Sequence, residues 1–183
     1  MTTRLLMISH AVTSATRRAA FPLDEGIEAA TAVFSELPRA QRAWCAPERR
    51  ARETALALGI VAETEPLLRD IDLGAWAGRT FEELLAEDPE GIAAWTSDTS
   101  SAPHGGESVE ELIVRIAPWL EKQNLGGGRT VAVTHPAVIR AAVVLALDVG
   151  PQAFWRIDIT PLAQVDFRGD GHRWNLRGIE GRD

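Results

Sequence analysis

Two apolar runs in this chain stop at a histidine. Leu5-Leu-Met-Ile8 ends at Ser9-His10, and Thr130-Val-Ala-Val-Thr134 ends at His135-Pro136. Neither run alternates with polar residues, so both read as strands buried on two faces, as in a parallel sheet covered by helices. Pro136 suits the first turn of a helix, which the pattern carries to about Leu147.

The rest of the chain fits that frame. Residues 24–37 read as a helix, with Ile27, Ala30, Phe34 and Leu37 on one face. Residues 43–46 read as a short strand, Pro47 as the opening of a helix to about Leu58, and 60–64 as another strand. Thr80-Phe-Glu-Glu83 and Ser108-Val-Glu-Glu111 are capping boxes. The second opens a helix with Val109, Leu112, Ile113, Ile116 and Leu120 on one side, ending at 124–128. Residues 154–160, 164–168 and 172–177 read as strands, the last two joined by Gly169-Asp-Gly171 as a hairpin. Alternating strands and helices predict an α/β protein, a three-layer α/β/α sandwich with a mostly parallel central sheet and antiparallel additions late in the chain. With 183 residues the chain suits a single domain, 1–183. The irregular stretch at about 74–107, carrying Trp76, Phe81 and Trp95, reads as a lid-like insertion or as added core.

Composition narrows the function. The net charge of −7 argues against a nucleic-acid or membrane-surface binder. No apolar stretch approaches the roughly 18 residues that span a bilayer. The single cysteine, Cys45, rules out an internal disulfide and metal sites built on several cysteines, which points to a cytoplasmic protein.

In an open parallel sheet, ligands sit beyond the carboxyl ends of the strands. Here one strand ends at His10, a second leads into Glu48-Arg49-Arg50, and a third ends at His135. Right-handed crossovers bring these ends to one rim. Two histidines and an arginine beside helix N-termini suit a phosphate-like anion, because free N–H groups and a guanidinium fork accept its oxygens. A neutral imidazole can also attack phosphorus and hold the phosphoryl group. Each residue has a plainer explanation too. A strand-end histidine is commonly a satisfied polar group, Arg49 and Arg50 suit an exposed helix face, and Glu107 and Ser108 suit capping. His104 reads as an exposed loop residue, and Cys45 as packing.

The same residues carry a resemblance to the histidine phosphatase superfamily, with its phosphoglycerate-mutase-like fold, from about Arg4 to Asn175. Ser9-His10-Ala11 stands where that family has Arg-His-Gly, and "APERRARETA" resembles Ser-Pro-Leu-x-Arg-Ala-x-Gln-Thr-Ala. "LLRDIDLGAWAG" places Asp70 at a family glutamate, Gly105 to Ser108 matches Gly-Glu-Ser, and "VAVTHPAVIRA" resembles Val-Ser-His-Gly-Gly-Val-Ile-Arg-Ala. The resemblance implies that His10 is the nucleophile, that Arg50 and His135 bind phosphoryl oxygens, and that Asp70 protonates the leaving oxygen and then activates water. It implies Ser9, Ala11, Thr16, Arg17, Ser108 and Pro136 as substrate-binding positions, with no metal and no cofactor. The partner it implies is a small phosphorylated or anionic metabolite, and family members are often homodimers.

The departures are chemical. Ser9 replaces a cation that contacts the phosphoryl group, and such a group is worth ~10³–10⁵ in rate. Arg17, Arg18 and Arg140 are the candidates to restore that charge. Ala11 and Pro136 replace glycines, Thr16 stands where the family often has asparagine, and Asp70 is one methylene shorter than glutamate. The preferred reading is a metal-independent phosphomonoesterase. The alternatives are a catalytically degenerate anion or metabolite binder, and a histidine-pair acid–base enzyme on the same fold.

Overall fold

The computed structural model describes residues 2–28 and 39–181. Its centre is a six-stranded sheet of β1 (Thr3–Ser9), β2 (Arg42–Cys45), β3 (Glu63–Thr64), β4 (Gly128–Thr134), β5 (Gln164–Gly169) and β6 (Trp174–Glu180). The spatial order is β3-β2-β4-β1-β5-β6. The first four strands in that order pair in parallel, and β5 and β6 add antiparallel. β1 lies between β4 and β5, which explains its unbroken apolar sequence: Leu5, Met7 and Ile8 are all fully buried. β6 closes an edge and is largely exposed.

Helices α1 (Ser14–Arg17) and α2 (Arg49–Ala57) follow β1 and β2. Helices α3 (Phe81–Glu87), α4 (Pro89–Ser97) and α5 (Val109–Gly126) lie between β3 and β4, and α6 (Pro136–Leu147) follows β4. α5 and α6 pack on one another. The chain steps one way across the sheet from β1 to β3 and reverses at β4. Right-handed crossovers therefore put α2 on one face and α5 and α6 on the other. Both predicted capping boxes form, at Thr80 of α3 and Ser108 of α5. Thr13 and Thr16 form another at α1, a helix the sequence pattern did not suggest.

Several expectations are corrected. Asp24 to Glu28 is not helical. The remainder of the expected 24–37 helix, with Ala30, Phe34 and Leu37, lies outside the described residues. Pro47 precedes the N-cap of α2, which is Glu48. Of the expected strand at 60–64, only Glu63 and Thr64 pair, against Trp44 and Cys45. The expected strand at 154–160 is instead a 3-10 helix, Pro151–Arg156, followed by irregular chain. The last strand begins only at Trp174, because Asp170 accepts from the backbone N–H of His172 and Arg173 and holds them in the turn. Trp76 and Trp95 are buried in the core, whereas Phe81 is exposed.

Candidate active site

The site forms where β1 and β4 end side by side. Ser9 is in register with Thr134, and the backbone N–H of His10 continues the ladder to the Thr134 carbonyl at 2.8 Å. His10 is thus fixed by the sheet rather than by a loop. His135 comes next on β4 and serves as the N-cap of α6. The two rings lie with centroids 5.3 Å apart, inclined at 60°. Both are buried.

His10 Nδ1 is 2.7 Å from the carbonyl oxygen of Ala11. A carbonyl only accepts, so Nδ1 carries the proton and Nε2 keeps its lone pair. Burial, and then the neighbouring His135, push the His10 pKa down to about 4. The ring is therefore neutral at physiological pH. The Ala11 N–H donates to Thr54 Oγ1 at 3.0 Å, and that hydroxyl donates to the Arg50 carbonyl at 2.7 Å. This ties the turn after His10 to α2.

Arg50 enters from the first turn of α2, almost fully buried. It donates from Nη1 to the Leu23 carbonyl at 3.0 Å and from Nη2 to Asp70 Oδ2 at 2.5 Å. The same Asp70 oxygen is 3.4 Å from His135 Nδ1. Burial alone would raise the Asp70 pKa, but the charges of His135 and Arg50 outweigh it and hold the carboxyl below its ordinary value. Glu48 completes the cluster. Its Oε2 lies 2.8 Å from His135 Nε2, and its Oε1 accepts from the Asp70 N–H at 3.0 Å. Burial opposes ionisation of Glu48, yet the hydrogen bond and charge of His135 prevail and lower its pKa. Sequence reading missed this residue. The available signal was an acid within "APERRARETA" where the family pattern has leucine.

A cavity of about 230 Å³ opens beside His10. Ser9, His10, Thr16, Asp70 and Pro136 line it, and Arg50 and His135 stand behind Asp70. Ser9 is fully buried and its hydroxyl has no partner within the described residues. Ala11, Arg17 and Ser108 are not part of the lining. Ala11 faces Thr54, Arg17 pairs with Glu28 at 2.5 Å, and Ser108 caps α5 by accepting from the Glu111 N–H at 3.2 Å. Glu107 holds Arg115 through two contacts of 2.6 and 2.8 Å. Arg18 is exposed.

Arg140 does line the cavity. Its nearest acid, Asp158, is 3.8 Å away and strongly exposed, and its Nε has no partner among the described residues. Arg140 belongs to the second strand–histidine–helix motif, one turn beyond His135, and its side chain also covers the Phe154 ring. His104, expected on an exposed loop, is buried beside Trp76, with ring centroids 5.1 Å apart. The loop carrying it folds onto Gly74 and Ala75, and its Nδ1 accepts from the Gly106 N–H at 3.1 Å. Among the described residues no group of three or more His, Cys, Asp or Glu side chains is arranged to hold a metal ion.

The chain matches the histidine phosphatase superfamily (branch 1) over residues 6–180. It is 35% identical over 135 residues to a bifunctional protein of Mycobacterium tuberculosis, covering 68% of this chain and 36% of that protein. It is 35% identical over 121 residues to the glucosyl-3-phosphoglycerate phosphatase of the same organism, covering 58% of this chain and 54% of that one. The chain therefore spans only about a third to a half of these curated relatives. In fold it is similar to a solved mycobacterial hydrolase, with TM-score 0.83, 24% identity and full coverage of both chains. It is likewise similar to the mycobacterial glucosyl-3-phosphoglycerate phosphatase solved with inorganic phosphate, with TM-score 0.75, 26% identity and 96% of each chain covered.

Proposed function

The chain belongs to the histidine phosphatase superfamily, and from that premise we propose that it hydrolyses a small phosphomonoester through a phosphohistidine at His10. The observation that carries this reading is the Nδ1 contact of His10 with the Ala11 carbonyl, which leaves an unprotonated Nε2 on a residue lining the cavity. The Nε2 lone pair attacks phosphorus as the bond to the leaving oxygen breaks, and Asp70 gives that oxygen a proton. Water then attacks the phosphohistidine, the P–N bond breaks, and Asp70 takes the water's proton.

The lowered pKa of Asp70 favours its ionised form, so its role as acid depends on the substrate. Phosphoryl oxygens in the cavity bring negative charge beside the carboxylate, which favours its protonation. Arg140, which lines the same cavity, is the cation available to replace the charge missing at Ser9. The side chain of His135 does not cap α6, so the first free N–H groups of that helix add a partial positive charge at the same rim. These groups do the work that a metal ion does in other phosphatases.

Hydrolysis of p-nitrophenyl phosphate, with alkaline-quench mass spectrometry for the acid-labile phosphohistidine, tests the reading. Turnover with a phosphorylated His10, both lost in His10→Ala, is expected. Turnover that survives His10→Ala overturns it. The bond between Glu48 and His135 favours one second reading, in which the histidine pair performs acid–base chemistry on a substrate without phosphate. That reading predicts no phosphoenzyme.

A further inference from the structure

Resting on the phosphatase reading, we propose that the cavity beside His10 selects phosphomonoesters whose leaving group is flat and apolar, one or two rings in size. The lining is of two kinds. Ser9, His10 and Asp70 carry the polar chemistry at which phosphorus would react. The rest is largely apolar, with Phe21, Leu73, Trp95, Phe154, Trp155 and Ile159, and with Arg140 over the Phe154 ring.

The aromatic wall is braced edge to face. Trp95 and Trp155 have ring centroids 4.5 Å apart at 73°, Phe154 and Trp155 lie 5.0 Å apart at 84°, and Phe21 and Trp95 lie 5.6 Å apart at 86°. Such contacts hold the rings in place before a ligand arrives. A sugar in this space would bring hydroxyls to a wall that offers them few partners, whereas a ring covers the wall without that penalty. The volume sets the size. About 230 Å³ lies below the ~300–1,000 Å³ typical of pockets for drug-sized ligands.

The test compares esters of matched leaving-group chemistry. 2-(1-Naphthyl)ethyl phosphate and glucose 6-phosphate are both primary alkyl esters. The naphthylethyl ester is expected to have the higher kcat/KM by ~10²-fold, the scale at which pocket polarity discriminates. Trp155→Leu and Trp155→Ala, each checked for folding by circular dichroism, are expected to reduce that ratio about tenfold. Binding is read separately in His10→Ala by quenching of tryptophan fluorescence with 2-(1-naphthyl)ethylphosphonate. Equal kcat/KM for the two esters, or a preference untouched by both Trp155 variants, overturns the inference and leaves the phosphatase reading standing. Quenching without hydrolysis of any ester supports the apolar site and overturns the phosphatase reading. Absence of both overturns both.

Discussion

His135 Nε2 and Glu48 Oε2 lie 2.8 Å apart, and the two residues are the N-caps of α6 and α2. Neither side chain caps its own helix. Each instead reaches across the rim to the other, joining the elements that follow β4 and β2. The bond orients the His135 ring and places a carboxylate at the edge of a site built for an anion.

That carboxylate repels phosphate. Glu48→Gln removes the charge and keeps the shape, so inorganic phosphate should inhibit more strongly, its inhibition constant falling several-fold to about tenfold. Inhibition kinetics at fixed ionic strength measure this. An unchanged or weaker inhibition would show that Glu48 lies outside the field of the phosphoryl group.

Asp70 acts on the leaving oxygen, so its importance should scale with how much that oxygen needs a proton. Asp70→Asn is expected to slow alkyl esters by ~10²–10³-fold and p-nitrophenyl phosphate by no more than about tenfold. Equal losses on both would assign Asp70 to the placement of Arg50 instead.

The depressed pKa of His10 has two consequences with a definite sign. The unfolded chain protonates this histidine near pH 6.5, the folded protein only near pH 4. As pH falls through that window the unfolded state takes up the proton first. Stability from this residue is therefore complete above about pH 6.5 and declines toward pH 4, by roughly 3 kcal/mol in all. Denaturant titrations across the window should show the slope in the parent and a shallower one in His10→Gln. The acid limb of kcat/KM should likewise fall near pH 4, after correction for the second ionisation of the substrate near pH 6. A limb at 6.5 that tracks His10 would contradict the buried, neutral ring.

Gly106 packs where its backbone nearly touches the chain behind it. A Cβ there would run into the Asp72 carbonyl, which also accepts the Glu107 N–H at 2.7 Å. The Asp72 carbonyl and the Gly74 nitrogen that such a Cβ would meet are both backbone and cannot swing aside. Gly106→Ala should cost ~2–3 kcal/mol and lower Tm by ~5–10 °C in calorimetry. It should also reduce activity, because Asp72 lies two residues from Asp70. An unchanged Tm would mean that the 98–107 loop moves away freely.

What could be read from the sequence was what neighbouring residues decide among themselves. The apolar runs before His10 and His135 specified two interior strands, because a strand without polar alternation must be covered on both faces. Thr80 with Glu83, Ser108 with Glu111, and Pro136 announced their helices, since caps and fixed φ angles act within one turn. Weak local signals were overruled by packing. The run at 154–160 looked like a strand, but Pro151–Arg156 wound into a 3-10 helix and the chain after it paired with no strand until β5. The candidate site divides in the same way. His10, Arg50, Asp70 and His135 stood out because strand ends and an ordered set of motifs mark them. The role of Glu48 as partner to His135, the burial of His104, and the meeting of Phe21, Trp95 and Trp155 around one cavity join residues tens of positions apart. Contacts of that kind leave no periodicity in a sequence. They exist only once the sheet brings its strand ends together, so the tertiary structure alone decided them.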